Sequence, residues 1–199
     1  MTRTIRRTLV AFAVSTLCCA GAYAQTTAAG TAQRDVNQQT RIENGLKDGS
    51  LDTREAARLE KEQSRVDRLQ AKDMKDGKLT GGERAQLDAA QNKVSRDIAA
   101  DRHNAATGNP NSASSQRMQA DVSRNVAQEQ RIENGIRNGS LTNREAGRLE
   151  RGQAHVDRKE ARAGRDGHVS KGEQASVQRS ENRQSKRIHR QKHDAQVRG

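Results

Sequence analysis

The feature that most constrains this chain is a segment that occurs twice. Residues 41–60 have the sequence RIENGLKDGSLDTREAARLE, and residues 131–150 have RIENGIRNGSLTNREAGRLE, 90 positions later. A repeat of this length at a constant offset indicates a duplicated structural unit. The repeat therefore predicts how the chain is built, and it does not by itself predict a reaction.

Each copy contains two turns that share one pattern. A Gly follows Asp or Asn, an aliphatic residue comes two positions later, and a Glu lies three residues after an Asp, Thr or Ser. Gly commonly ends a helix, and an Asp, Thr or Ser with Glu three positions on begins the next one as a capping box. The pattern predicts four boxes: Asp52 with Glu55, Thr80 with Glu83, Thr142 with Glu145, and Ser170 with Glu173.

Between these turns, apolar residues recur at helical spacing. Leu59 and Val66 are one example, and Leu87 and Val94 are another. Most of the remaining positions hold Ala, Arg, Lys, Glu or Gln, which favour helix. Glutamines interrupt the apolar stripes at positions 63, 91, 153 and 184. We predict helices at 34–47, 53–73, 81–103, 121–137, 143–163 and 171–194.

The predicted fold is all-α, with two duplicated three-helix units over residues 35–103 and 121–195. A segment containing the only proline, residues 104–120, is predicted to be a flexible linker. Residues 25–34 are rich in small side chains and are expected to be a disordered tail. After residue 24 the chain has only 24 Leu, Ile, Val and Met, so the aliphatic core should be marginal.

The first 24 residues are typical of a secretory signal peptide. They combine early arginines, an apolar centre and the sequence Ala-Tyr-Ala before Gln25. This predicts a periplasmic or secreted protein. Both cysteines, the only Phe and the only Tyr fall within this segment, so the remaining chain has no thiol chemistry, no disulfide and no aromatic residue.

The sequence does not favour an enzyme. It has no zinc-protease motif, no phosphate-binding Gly-rich loop and no nucleophile elbow. The carboxylates alternate with Lys and Arg along the helices, and we interpret them as solvated surface charge. His189 and His193 are four residues apart on one helix, but basic neighbours oppose a metal ion there. We therefore expect no cofactor and no metal site.

One alternative is calcium, because the four turns resemble the second half of an EF-hand loop. Such a loop needs oxygen ligands at positions 1, 3 and 5 and a Glu at position 12. The loops that would start at Lys72 and Arg162 lack the front oxygens. The other two turns supply the candidate calcium ligands of this alternative: Asn44, Asp48, Asp52, Glu55, Asn134, Asn138 and Glu145.

The two copies differ in charge. Residues 35–104 contain 14 basic and 14 acidic residues, whereas residues 125–194 contain 16 basic and 10 acidic residues. On the last helix, Val177 and Ile188 share one side, and the opposite side carries a predicted polyanion-binding stripe of Arg179, Arg183, Lys186 and Arg190. Its predicted partner is an acidic polysaccharide, anionic lipid head groups, extracellular DNA or an acidic protein. The plainer interpretation is that this charge only favours solubility.

Three sequence blocks support a resemblance. The RIENGxxxGSLxxREAxRLE block, the DGxxxxGE turn and the ending SKRIHRQKHDAQ resemble a family of small exported, largely uncharacterised proteins of Gram-negative bacteria, some with degenerate EF-hand-like loops. The resemblance implies export and helical repeats, and it brings no activity or catalytic residue. Together these features predict an exported, non-enzymatic interaction module that acts through its basic second copy.

Overall fold

The computed structural model describes residues 20–194, with side chains from residue 28 onwards. Residues 1–19 of the predicted signal peptide lie outside the described residues. Within the described part the chain has no strand, which confirms the all-α prediction. The six helices are α1 (Ala20–Asp48), α2 (Thr53–Asp73), α3 (Gly81–Arg102), α4 (Ala113–Arg137), α5 (Asn143–Ala163) and α6 (Lys171–Lys192).

All four predicted capping boxes are formed. Helices α2, α3, α5 and α6 follow Asp52, Thr80, Thr142 and Ser170. In each box the cap side chain accepts from the third helical amide, and the Glu side chain accepts from the cap amide. The preceding glycines have φ between 78° and 87°, a conformation that favours Gly and ends the previous helix. The local pattern therefore specifies where these four helices begin.

Helices α1 and α4 begin earlier than predicted. The expected disordered tail at 25–34 is wrong, because α1 runs through it and buries Ala28 and Ala32 in one cluster with Ile132 and Ile136. Small side chains let two helices pack closely, so a composition that we interpreted as disorder supports contact here.

The predicted linker at 104–120 extends too far at its C-terminal end, because residues 113–120 belong to α4. Helix α4 starts at Ala113, is capped by Ser112, and buries Met118. The remaining connection docks on the turn between α1 and α2, where the Gly108 amide donates to the Gly49 carbonyl oxygen at 2.9 Å.

The helices pack mainly across the copies. Helix α1 packs against α4 and α2 against α5, while α3 and α6 flank these two pairs. One hydrophobic cluster joins Leu59 and Val94 with Val122 and Val177, and the other joins Met74 with residues of α4, α5 and α6. The two copies therefore share their cores.

Helices α2 and α5 run antiparallel and pack closely along a line of contact that we call the seam. A Cβ built on Gly147 would lie 2.9 Å from the Cβ of Met74, and one built on Gly164 would lie 2.8 Å from the Cβ of Ala57. These two contacts are equivalent, because each residue in one lies 90 positions from its counterpart in the other. Longer side chains of α2 and α5 must therefore point to either side of the seam, either toward the α1–α4 pair or outward. No helix among the described residues is long and apolar enough to span a membrane.

Candidate metal centre

The inner faces of α2 and α5 carry acids and amides where a core is usually apolar. The spacing of three, four and three residues places these side chains on one face of each helix. All eight are at most 2% exposed. They are Glu60, Gln63, Asp67 and Gln70 on α2, and their equivalents Glu150, Gln153, Asp157 and Glu160 on α5.

Six buried carboxyl groups form two clusters. Group one consists of Glu60, Asp157 and Glu160, and group two consists of Asp67, Glu129 and Glu150. Within each group, one oxygen from each residue lies within 4.8 Å of the others. Oxygens on opposite sides of a calcium-sized ion are about 5 Å apart, so one cation can contact all three. Both groups draw residues from both copies.

The two groups meet at the middle of the seam. Burial, followed by repulsion from Asp157 of group one, raises the pKa of Asp67 of group two well above its usual range. Because two ionised carboxylates have no donor between them, this contact favours a proton or a cation between the groups. The centre is therefore one connected cluster of acids.

Buried amides surround the acids. Gln39 Nε2 donates to Glu60 at 3.0 Å, and Asn125 Nδ2 donates to Glu160 at 2.6 Å. Gln153 Nε2 in turn donates to Asn125 at 2.9 Å. These bonds orient the side-chain amides of Gln39 and Gln153. The amide carbonyl oxygens of Gln39, Gln63, Gln70 and Gln153 are buried without a hydrogen-bond partner. Such oxygens are neutral ligands available to a cation.

No basic side chain neutralises this centre from within. Among the side chains from residue 28 to 194, the buried set contains no Lys, Arg or His. Both oxygens of Glu150 are buried without a hydrogen-bond donor. Burying an unpaired charge costs several kcal/mol, so these carboxyl groups must hold protons or be neutralised by a bound cation.

The pKa values follow from this environment. Burial raises the pKa of Asp35, next to group two, and of Glu60 to about 7. Burial, followed by repulsion from neighbouring carboxylates, raises the pKa of Glu129 and Asp157 well above their usual range. At neutral pH the centre therefore retains protons that a cation can displace.

The donor set identifies the class of cation. The groups offer carboxylate and amide oxygens only, and such ligands suit hard cations such as Ca²⁺, Mg²⁺, Mn²⁺ or a trivalent ion. Soft or imidazole-preferring metals would find neither sulfur nor ring nitrogen among these residues. The donor set therefore fits a hard cation.

The residues of the calcium alternative lie elsewhere. Asp52 and Glu55 cap each other's backbone amides. Asn44 and Asp48 lie on α1, where Asp48 accepts from Arg102 at 2.7 Å. In the second copy the equivalent positions are also engaged. Asn134 accepts from Arg137, the Asn138 side chain accepts from the Ser140 amide, and Glu145 is part of its capping box.

The predicted basic stripe lies on the surface. Arg179, Arg183, Lys186 and Arg190 are all exposed, while Val177 and Ile188 of the same helix are buried. The four charges are thus accessible to a partner. The structure does not bring them near the carboxyl centre, which lies on the inner faces of other helices.

Our interpretation of the carboxylates as solvated charge is wrong for the centre. Glu60 and Asp67 directly follow the apolar Leu59 and Val66, so at 100° per residue they border the buried stripe. The glutamines that interrupt the stripe, such as Gln63, were the available signal. Amides recurring at core positions indicate buried polar partners.

Comparison with protein-family models, with curated proteins and with solved structures returns no match to this chain.

Proposed function

We propose that this protein binds hard metal cations in the carboxyl centre between the α1–α4 and α2–α5 pairs. The observation that carries the proposal is the two groups of three buried carboxyl groups without a buried basic side chain. Each group has a buried amide oxygen beside it, from Gln39 at group one and Gln70 at group two. A bound cation would neutralise charge that nothing else in the core compensates.

Cation binding would also link the two copies. Glu60 comes from the first copy, and Asp157 and Glu160 come from the second. A cation in group one therefore holds α2 to α5, and a cation in group two holds α2 to both α4 and α5. Because the ligands assemble only in the folded chain, binding contributes directly to stability.

The centre exchanges cations for protons. A bound cation must contact ionised carboxylates, so each binding event releases the protons that burial retains near pH 7. Protons should therefore occupy the carboxylates at pH 5, and the cation should displace them at pH 8.

Two further acids, Asp121 and Glu181, continue the cluster from Glu160 toward the partly exposed Arg124. They provide a polar route from the centre to the surface.

Thermal unfolding at pH 7.5 tests the proposal. After removal of metal with a chelator, Ca²⁺ or Mn²⁺ is expected to raise the Tm of the wild type. A double variant, Glu60→Gln with Glu150→Gln, removes one carboxylate from each group and should lose this shift. The matched control is Asp76→Asn with Asp166→Asn, two exposed acids also 90 residues apart, which should keep it.

The proposal fails if neither cation changes the Tm of the wild type. It also fails if the double variant in the centre shows the same shift as the wild type, because the cation would then bind elsewhere.

A second candidate function is polyanion binding by the stripe on α6. It is favoured by the exposure of all four basic residues and by the excess charge of the second copy. If about four charges engage duplex DNA, log affinity should fall with log salt at a slope near −3 to −4. Changing the four residues to Gln should flatten this slope, and an unaltered slope would contradict the idea.

A further inference from the structure

The outer side of the α2–α5 seam is a basic groove. It encloses about 550 Å³, and none of the described residues that line it is acidic. One wall carries Lys61, Arg65 and Arg68 of α2, and the other carries Arg158, Arg162 and Arg165 at the end of α5. Ala57, Ser64 and Ala161 form its floor. The groove thus lies on the opposite side of the seam from the carboxyl centre.

The groove continues at the other end of the seam. There the lining cations are Lys75, Arg144, Arg148 and Arg151. Arg144, Arg148 and Arg151 lie 90 residues after Arg54, Arg58 and Lys61 of the first section, so both copies build the surface. A helix of 21 residues is about 32 Å long, and cations line the seam along most of that length.

Few of these charges are compensated inside the protein. Of the groove cations, only Arg58 forms an ion pair among the described residues, with Asp101. Like charges at helical spacing repel each other, so this concentration of cations favours an external anion. The groove is complementary in charge to a polyanion along its whole length.

We propose that this groove binds a single linear chain of phosphate groups. Ten of the twelve cations in the two sections are arginines, whose planar guanidinium groups bind phosphate oxygens in pairs. Helices that pack this closely have axes about 8–10 Å apart, a spacing that admits one extended chain and neither a duplex nor a flat bilayer. No Phe, Tyr or Trp lies in residues 28–194 to stack a base, so a bare phosphate chain is the best fit.

Calorimetry with long-chain inorganic polyphosphate tests the groove, with triphosphate as the short control. The titrations are carried out at pH 6 without metal, so that cation binding in the carboxyl centre does not contribute to the measured heat. The long chain should bind about tenfold more tightly than triphosphate, because it contacts both sections of the groove. Phosphatidylglycerol vesicles and duplex DNA serve as the two alternative partners and should bind more weakly than polyphosphate.

The decisive variant removes four groove charges: Lys61→Gln, Arg65→Gln, Arg162→Gln and Arg165→Gln. All four residues are exposed and their side chains form no ion pair, so the fold should persist. Affinity for polyphosphate should fall about tenfold or more, and the salt slope should decrease by about 3. The control changes Lys78, Arg84, Arg96 and Lys171 to Gln, four exposed cations outside the groove and outside the stripe on α6, and should alter affinity by less than about threefold.

Equal losses in the two fourfold variants would overturn the proposal, because net charge alone would then explain binding. Tighter binding to the vesicles or to duplex DNA would overturn it as well. If the groove variant does not fold, the variant Lys75→Gln with Arg151→Gln at the other end should still weaken binding, and unchanged affinity there would refute the groove. A groove variant that keeps its cation-induced Tm shift shows that the two functions are separate.

Discussion

Group one and group two each contain three acids, but the acids lie at different positions of the repeat. In group one the third acid, Glu160, lies on α5, and α1 contributes an amide, Gln39. In group two the position equivalent to Glu160 is Gln70, and the position equivalent to Gln39 is Glu129. Acid and amide have therefore exchanged places between the two groups, and the second copy supplies the acid at both positions.

This exchange makes group two the more strained of the two when it is empty. In group one the amide of Gln39 donates to Glu60, whereas the equivalent neighbours in group two, Glu129 and Glu150, repel each other. Both oxygens of Glu150 also lack a donor. Burying the three carboxylates of group two therefore costs more free energy than burying those of group one. Group two depends more on protons or on a bound cation.

The largest expected effect is a loss of metal-free stability as the pH rises. Burial raises the pKa values of Asp35 and Glu60 to about 7 and that of Glu181 to about 8, above the value of about 4 in the unfolded chain. The folded protein thus holds protons that the unfolded chain releases. This stabilisation is complete below about pH 4 and is lost as the pH rises through about 7 to 8.

A proton held with a pKa of about 7 corresponds to about 1.4 kcal/mol per pH unit between pH 5 and 7, or about 3 kcal/mol in all. Urea unfolding in the presence of a chelator, followed by circular dichroism at a series of pH values, measures this loss. A free energy of unfolding that is constant or rises over that range would show that the centre does not retain protons.

Two single variants sharpen the comparison between the groups. Glu129→Gln gives group two the amide that group one has, and should stabilise the metal-free protein by about 1–3 kcal/mol at pH 8. Gln39→Glu gives group one a fourth acid and removes the donor to Glu60, and should cost about 2–4 kcal/mol. Both differences should shrink at pH 5, where the added or removed carboxyl is protonated.

Denaturant unfolding at both pH values decides between the outcomes. Changes of the same sign in the two variants would mean that packing at these positions, and not charge, sets stability.

The smallest expected effect lies outside the centre. Thr80 caps α3 through an exposed capping box with Glu83, and Thr80→Ala should cost about 1 kcal/mol. Because Thr80 and Glu83 do not belong to the carboxyl centre, the cost should be the same at pH 5 and pH 8 and with or without cations. A cost that varies with pH would show that the caps are coupled to the centre.

The sequence predicts the helix starts at the capping boxes well, because each box is formed by neighbouring residues. The boxes at Asp52, Thr80, Thr142 and Ser170 depend on residues three positions apart, and α2 and α5 match the predicted 53–73 and 143–163. The starts of α1 and α4 were missed because small residues such as Ala28 signal both flexible chain and close packing.

The centre was missed because it depends on contacts across the copies. Glu60 and Asp157 are far apart in the chain, and neither helix alone shows that its acid faces another acid. Helical spacing gives the face of a side chain, and only the packing of α2 on α5 shows that this face is enclosed. The exposure of the basic stripe on α6 could be predicted without such contacts, since the apolar stripe of one helix shows which side faces outward.

The most direct test of cation binding in the centre is calorimetric titration of the metal-free protein with Ca²⁺ or Mn²⁺ at pH 7, in two buffers of different ionisation enthalpy. The difference between the buffers counts the protons released for each cation bound. The cation should displace at least about one proton, and Glu60→Gln with Glu150→Gln should abolish both binding and release. Binding without proton release, or binding that survives in this double variant, would contradict a cation site in the buried carboxyl groups.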